Sequence, residues 1–169
     1  MKEVAKLLND LCAAGIILDY ALFGAMAQMR YTESIATLDA DVLITIPTED
    51  TLAVLRPIYA FCKKQGYAPE GEAIRVGTWP VQFIPVFDAM TKDAVAQADI
   101  ADFEGTPFRV VKPDYLAVIA LHTGRAKDFA RILALIDSGS TTISEVKALA
   151  EKYQLHEAWK RFQERFLNE

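Results

Sequence analysis

With 169 residues, 52% hydrophobic and 24% charged, the chain is long enough to bury one core and too apolar to belong with disordered sequences. Its formal charge of −5 excludes a protein that coats nucleic acid through a general basic surface, though a local basic site stays open. No apolar run approaches the roughly 20 residues of a bilayer span, and Cys12 and Cys62 are too far apart for a Cys-x-x-Cys motif. Both cysteines read as small core residues. The opening Met1-Lys2-Glu3-Val4-Ala5-Lys6 carries an acidic residue and leads into an amphipathic pattern rather than an export signal. A soluble, cytoplasmic protein with no membrane partner is predicted.

In chain order, Val4, Leu7, Leu8 and Leu11 fall at helical spacing over Val4 to Ala14, with Gly15 as the stop. Ile16 to Phe23 reads as a strand, Gly24 as a turn, and Ala25 to Arg30 as a helix. Thr37 to Pro47 contains a buried strand with Asp39 and Asp41 at its entrance. Thr48 is placed to cap a helix from Glu49 to Gln65, whose core face is Leu52, Leu55, Ile58, Tyr59 and Phe61. Ala73 to Val76 and Pro80 to Phe87 form two strands about a turn at Gly77-Thr78, the prolines suggesting that the second is an edge or short strand. Ala89 to Ala98 reads as a helix and Phe108 to Val111 as a last short strand. Pro113 opens a helical remainder: a segment broken at Thr123-Gly124, a second from Arg125 to Ile136, a third with a capping box at Thr142 to Glu145, and a last from Leu155 to Phe166. The expected fold class is α/β, a mixed sheet flanked by helices over residues 1–111, with a helical subdomain over 112–169 packed on it.

Two aspartates separated by one residue on a strand project from the same face, so Asp39 and Asp41 can reach one divalent cation. Magnesium, or manganese in its place, suits that oxygen-rich pair. Gly24, some fifteen residues upstream at a strand-to-helix turn, lets backbone amides approach a phosphate chain. No Gly-x-Ser-x-Gly, His-Glu-x-x-His or Walker-type sequence is present to support a hydrolase, zinc-protease or P-loop reading.

Leu22-Phe23-Gly24-Ala25-Met26-Ala27, Thr37-Leu38-Asp39-Ala40-Asp41-Val42, Lys112-Pro113-Asp114-Tyr115-Leu116 and Thr123-Gly124-Arg125-Ala126-Lys127-Asp128 occur in this order. The series resembles the minimal nucleotidyltransferases of the DNA polymerase beta superfamily, especially the abortive-infection (AbiEii-like) toxin type. The resemblance implies a nucleotidyltransferase fold, magnesium at Asp39 and Asp41, and catalytic roles for Asp39, Asp41 and Lys127. It also implies a nucleotide pocket drawn from Gly24, Ala25, Arg30, Thr37, Arg125, Lys127 and Asp128. The implied reaction moves a nucleoside monophosphate from a triphosphate to an acceptor hydroxyl on an RNA end, a small molecule or a protein, with a cognate antitoxin or a second copy as partner.

Three positions depart from that pattern. Ala25 stands where the family has a second glycine or a serine, Ile35 where it often has arginine, and Gln82 where the neighbouring strand carries a third carboxylate. Gln82 cannot act as a base, and Asp88 is the candidate substitute ligand. A catalytically degenerate nucleotide-binding or interaction module is therefore the alternative. Lys127-Asp128 reads equally as part of the pocket or as a helix-start pair, and Arg125, Lys127 and Arg131, within two helical turns, as a local basic wall for phosphates or a solvated face; His122 reads as a packing residue, His156 as superficial, and Trp79 and Trp159 as core or interface aromatics.

Overall fold

The structure, a computed structural model, describes residues 1–33, 37–47 and 55–167. Two units are present, Met1–Ala27 with Ile35–Val111, and Gln28–Ser34 with Lys112–Glu169. The expected cap Thr48, the helix start over 49–54 and the departure at Ile35 lie outside the described residues.

In the first unit, helix α1 (Lys2–Ala13) presents Val4, Leu7, Leu8 and Leu11, each at most 2% exposed, to the core. Each such side chain contributes about 1.5–3 kcal/mol on burial. The sheet follows through β1 (Asp19–Phe23), β2 (Ala40–Thr45), β3 (Ala68–Glu70), β4 (Ala73–Val76), β5 (Trp79–Pro85), β6 (Asp99–Phe103) and β7 (Thr106–Val110). Between them run α2 (Gly24–Gln28), α3 (Arg56–Lys64) and α4 (Ala89–Ala96). The strand order is β3-β4-β5-β2-β1-β7-β6. β1 pairs antiparallel to β2 and parallel to β7, while β2 pairs parallel to β5, so the sheet is mixed as the sequence implied.

The strand with two prolines is a correction: β5 is seven residues long and interior, between β4 and β2. Pro80 and Pro85 sit near its two ends, so the run Val81 to Ile84 keeps its ladder donors. β3 and β6 were not anticipated. β3 is three residues with no buried position, and β6 buries only Ala101, so neither shows the apolar alternation that marks a strand. α2 ends at Gln28, short of the expected Arg30. Cys62 is core, but Cys12 is only partly buried, which corrects its reading.

In the second unit α5 (Pro113–Thr123) buries seven consecutive residues, Tyr115 to Leu121, and is therefore apolar all round rather than amphipathic. Pro113 opens it and Gly124 ends it in the left-handed region, where lack of a Cβ removes the steric cost. Against α5 pack α6 (Ala126–Asp137), α7 (Ile143–Lys152) and α8 (His156–Phe166). The expected capping box is present: Glu145 N–H donates to Thr142 Oγ1 at 3.2 Å, and Thr142 N–H donates to Glu145 Oε2 at 2.8 Å. Phe129, Phe162 and Phe166 form a tilted aromatic cluster that closes α8 onto α6.

Candidate functional site

Asp41 is fixed by ladders on both sides, opposite Phe23 of β1 and in register with Gln82 of β5. Gly24, directly after β1, has φ +66°, and a Cβ built there would overlap Asp41 Oδ2 and come within 3.3 Å of its Cγ. The positive φ favours glycine there, and the Asp41 carboxylate lies against its bare Cα. Asp39 directly precedes β2 and is steadied by Thr37, whose Oγ1 donates to Asp39 Oδ1 at 3.2 Å and to the Asp39 carbonyl at 3.1 Å. Asp39 and Asp41 are both half-buried, and Ala25, the next residue of the turn, is also partly exposed. The structure therefore brings together Gly24, Ala25, Asp41 and Gln82, with Thr37 and Asp39 on the approach to β2.

The third carboxylate is not supplied by Asp88. That residue is the N-cap of α4, where Oδ1 accepts Thr91 N–H and Thr91 Oγ1–H, both at 2.7 Å. Among the described residues no three His, Cys, Asp or Glu side chains converge as a metal site. Asp39, just before β2, and Asp41, on it, are oxygen donors of the kind a magnesium ion takes beside a nucleotide. They do not fit a cation held by protein alone.

The remaining sequence candidates belong to the second unit. Asp128 is fully buried and accepts from Arg125, by the backbone N–H at 3.2 Å and by Nε at 2.6 Å; Arg131 Nη1 is 3.6 Å from Oδ1. Burial alone would raise the Asp128 carboxyl, but the hydrogen bonds and charge of Arg125, with Arg131, hold it below its ordinary value. Arg131 Nε also donates to the buried Gln28 amide oxygen at 3.0 Å. Asp128 thus anchors the start of α6, a role closer to the helix-start reading than to a ligand. Lys127 and His122 are exposed, so His122 is not the packing residue expected. Arg30 is exposed, with its guanidinium 5.8 Å from the centre of the Tyr31 ring. The Gln28–Arg131–Asp128 network has no local sequence signal, because Gln28 and Arg131 are 103 residues apart.

Two concavities differ in chemistry. One of about 640 Å³ on the second unit is lined by Thr142, Ile143, Lys147, Trp159 and Gln163, and no carboxylate lines it. The other, about 510 Å³, lies in the first unit between α3 and the sheet and is lined by Leu55, Tyr59, Glu72, Gln82, Phe83 and Ile84. Gln82 ties the smaller one to the aspartate strand. Sequence reading missed it because Tyr59, Glu72 and Gln82 come from three separate elements.

No protein-family model matches the chain, and no curated protein matches it in sequence. Among solved structures, that of the antibiotic-resistance factor ANT(2'')-Ia in solution aligns at TM-score 0.52 and 14% identity, over 98% of this chain and 99% of that one. The crystal structure of an antigenic nucleotidyltransferase-like protein from Paracoccidioides brasiliensis aligns at TM-score 0.54 and 15% identity, over 93% and 90% of the two chains. The fold is the nucleotidyltransferase fold. Among the described residues no helix is long and apolar enough to cross a membrane.

Proposed function

We propose that this chain is a magnesium-dependent nucleotidyltransferase, with Asp39 and Asp41 as its metal-facing carboxylates. The observation that carries the reading is the fit of the Asp41 carboxylate against the bare Cα of Gly24, at the junction of β1 and α2. A half-buried carboxylate at a strand-to-helix turn suits a phosphate-facing edge with a bound cation. Magnesium, or manganese in its place, would supply neutralisation of phosphate charge when bound. In the transfer, the acceptor hydroxyl oxygen forms a bond to the α-phosphorus and the α-phosphorus bond to the bridging oxygen breaks. Pyrophosphate leaves with the electron pair, and the hydroxyl proton passes to solvent. Asp39 and Asp41 would hold the cation, and through it the phosphate end would be oriented; the neutral Gln82 takes no proton.

The AbiEii-like sequence signature supports a cytoplasmic role with an RNA end, a small molecule or a protein as acceptor, and a cognate antitoxin as partner. A second reading, a nucleotide-binding module without transfer, is favoured by one feature: the side chain in register with Asp41 is the amide of Gln82. Incubation with each α-labelled triphosphate and magnesium separates the two. Label transferred to an RNA pool, to small hydroxyl compounds or to the protein itself, and abolished in Asp41→Asn, supports the enzyme; saturable binding with no transfer to any acceptor supports the module.

A further inference from the structure

Among the described residues the sheet ends on β3 and β6, and only one of these edges is blunted against further pairing. β3 is three residues long with Pro69, which carries no N–H, at its centre. β6 is five residues long and has no proline; its Ile100 is 71% exposed and its Phe103 38%. The turn decides which of its backbone groups face outward. Phe103 and Thr106 close a two-residue loop, Glu104-Gly105, whose φ values of 51° and 80° are those of a type I′ hairpin. The closing pair of such a hairpin exchanges hydrogen bonds, and bonded and non-bonded pairs then alternate along the ladder. Asp99, Ala101 and Phe103 therefore bond to β7, while Ile100 and Asp102 turn their N–H and C=O groups to the free edge. That edge is acidic on both faces, through Asp99 on one and Asp102 on the other, with Glu104 at the turn. Among the described residues neither aspartate has an ion-pair partner, and Glu104 reaches only Lys2, at 4.0 Å. Arg109, opposite Ile100 on β7, is engaged elsewhere, with Asp19 at 3.0 Å and the Val95 carbonyl at 2.8 Å. The first unit as a whole has the same sign, with eight Lys and Arg against fourteen Asp and Glu.

We propose that the free edge of β6 is a docking site for an extended, basic segment of a partner protein, which adds to the sheet as a further strand. Backbone bonds to Ile100 and Asp102 supply the affinity, and the acidic side chains beside them select the guest. The same acids disfavour a second copy as the occupant. Two β6 edges paired with each other bring Asp99, Asp102 and Glu104 of one copy against the same residues of the other, and like charges facing across a ladder are destabilising. A basic guest relieves that crowding of charge instead of adding to it. For an antiparallel guest, the positions opposite Phe103, Asp102, Ala101, Ile100 and Asp99 favour, in the guest's own chain order, apolar, basic, small, apolar and basic side chains. The inference is independent of the transferase reading, because β1 and β7 separate β6 from the aspartate strand.

The probe is the end-capped peptide Val-Lys-Thr-Val-Lys, which carries that pattern, titrated into the isotope-labelled full chain and followed by NMR. Shifts and slowed amide exchange are expected to centre on Ile100 and Asp102. Two control peptides separate charge from backbone pairing. Val-Glu-Thr-Val-Glu reverses the charge, and the probe N-methylated at its second and fourth residues loses the donors that face β6. Each control is expected to bind at least about tenfold more weakly than the probe. Ile100→Pro removes an outward N–H and no rung of the ladder between β6 and β7. Ile100→Lys leaves the backbone whole and sets a like charge against the guest, so it stands as the test if the proline variant does not fold. Both variants should weaken the probe by about tenfold or more. No binding of the probe, equal binding of either control, unchanged affinity in Ile100→Lys, or shifts confined to residues away from β6 would overturn the proposal. A dimer of the free chain in sedimentation that Ile100→Lys dissociates would overturn it as well, because the edge would then belong to a second copy.

Discussion

Gly24→Ala and Gly15→Ala together isolate the geometry on which the site depends. Both glycines have φ +66°, so an alanine at either meets the same backbone cost of about 1–2 kcal/mol. Around Gly15 nothing lies within 4 Å of the added methyl, whereas at Gly24 the methyl overlaps Asp41 Oδ2. Restoring ordinary separation requires the carboxylate to retreat by roughly 1 Å. A displacement of that size at a reacting centre costs up to about 100-fold, and a loss of at least about tenfold, or 1.4 kcal/mol, is expected in magnesium-dependent triphosphate binding. Urea unfolding measures the backbone cost, and calorimetric titration measures the binding loss. The two variants should unfold alike, within about 0.5 kcal/mol, while only Gly24→Ala loses affinity. If both bind triphosphate as the wild type does, the contact between Gly24 and Asp41 has no part in the site.

Asp128→Asn should lower stability by about 2 kcal/mol at neutral pH, because it leaves Arg125 and Arg131 facing a neutral amide. The folded Asp128 carboxyl lies below its unfolded value, so its stabilisation is present above the ordinary carboxylate pKa and lost as pH falls through the folded one. Urea midpoints of wild type and variant should therefore converge in acid, and a constant gap would contradict the ion-pair account. Burial pushes the Tyr20 phenol from 10.0 up to about 12 against an opposing contribution from Arg109, so its stabilisation is present below pH 10 and lost between there and 12. Phenolate absorbance should include a step near pH 12, and Tyr20→Phe should remove it. Gln82→Glu puts a third carboxylate in register with Asp41 and is expected to tighten magnesium binding in the triphosphate complex about tenfold; unchanged magnesium affinity would place Gln82 away from the cation.

The parts of this protein legible in sequence are those whose signal is local. The helices α1 and α5, the Thr142–Glu145 capping box and the strand ending at Gly24 each follow from spacing or from a single cap within a few residues. β3 and β6 escaped because edge strands bury almost nothing and so lack alternation. The prolines of β5 misled because proline excludes ladder donors only where it stands, and Pro80 and Pro85 flank the run that pairs. For the site, the sequence groups Asp39, Asp41 and Gly24 as one motif, and the structure sets the Asp41 carboxylate against Gly24. Asp88 was misjudged because a lone aspartate before a helix is equally suited to capping and to metal binding, and here Thr91 engages it. The cleft of Tyr59, Glu72 and Gln82 and the Gln28–Arg131 bond arise only from long-range packing, which no window of sequence contains.

The most direct test of the central claim is calorimetric titration of a non-hydrolysable nucleoside triphosphate into wild-type protein, Asp39→Asn and Asp41→Asn, each with magnesium and after chelation. If the aspartate strand is the metal-facing edge of a nucleotide site, wild-type binding requires magnesium and each variant loses about 100-fold in affinity while unfolding as the wild type does. Binding that survives chelation, or that both variants retain at wild-type strength, would contradict it.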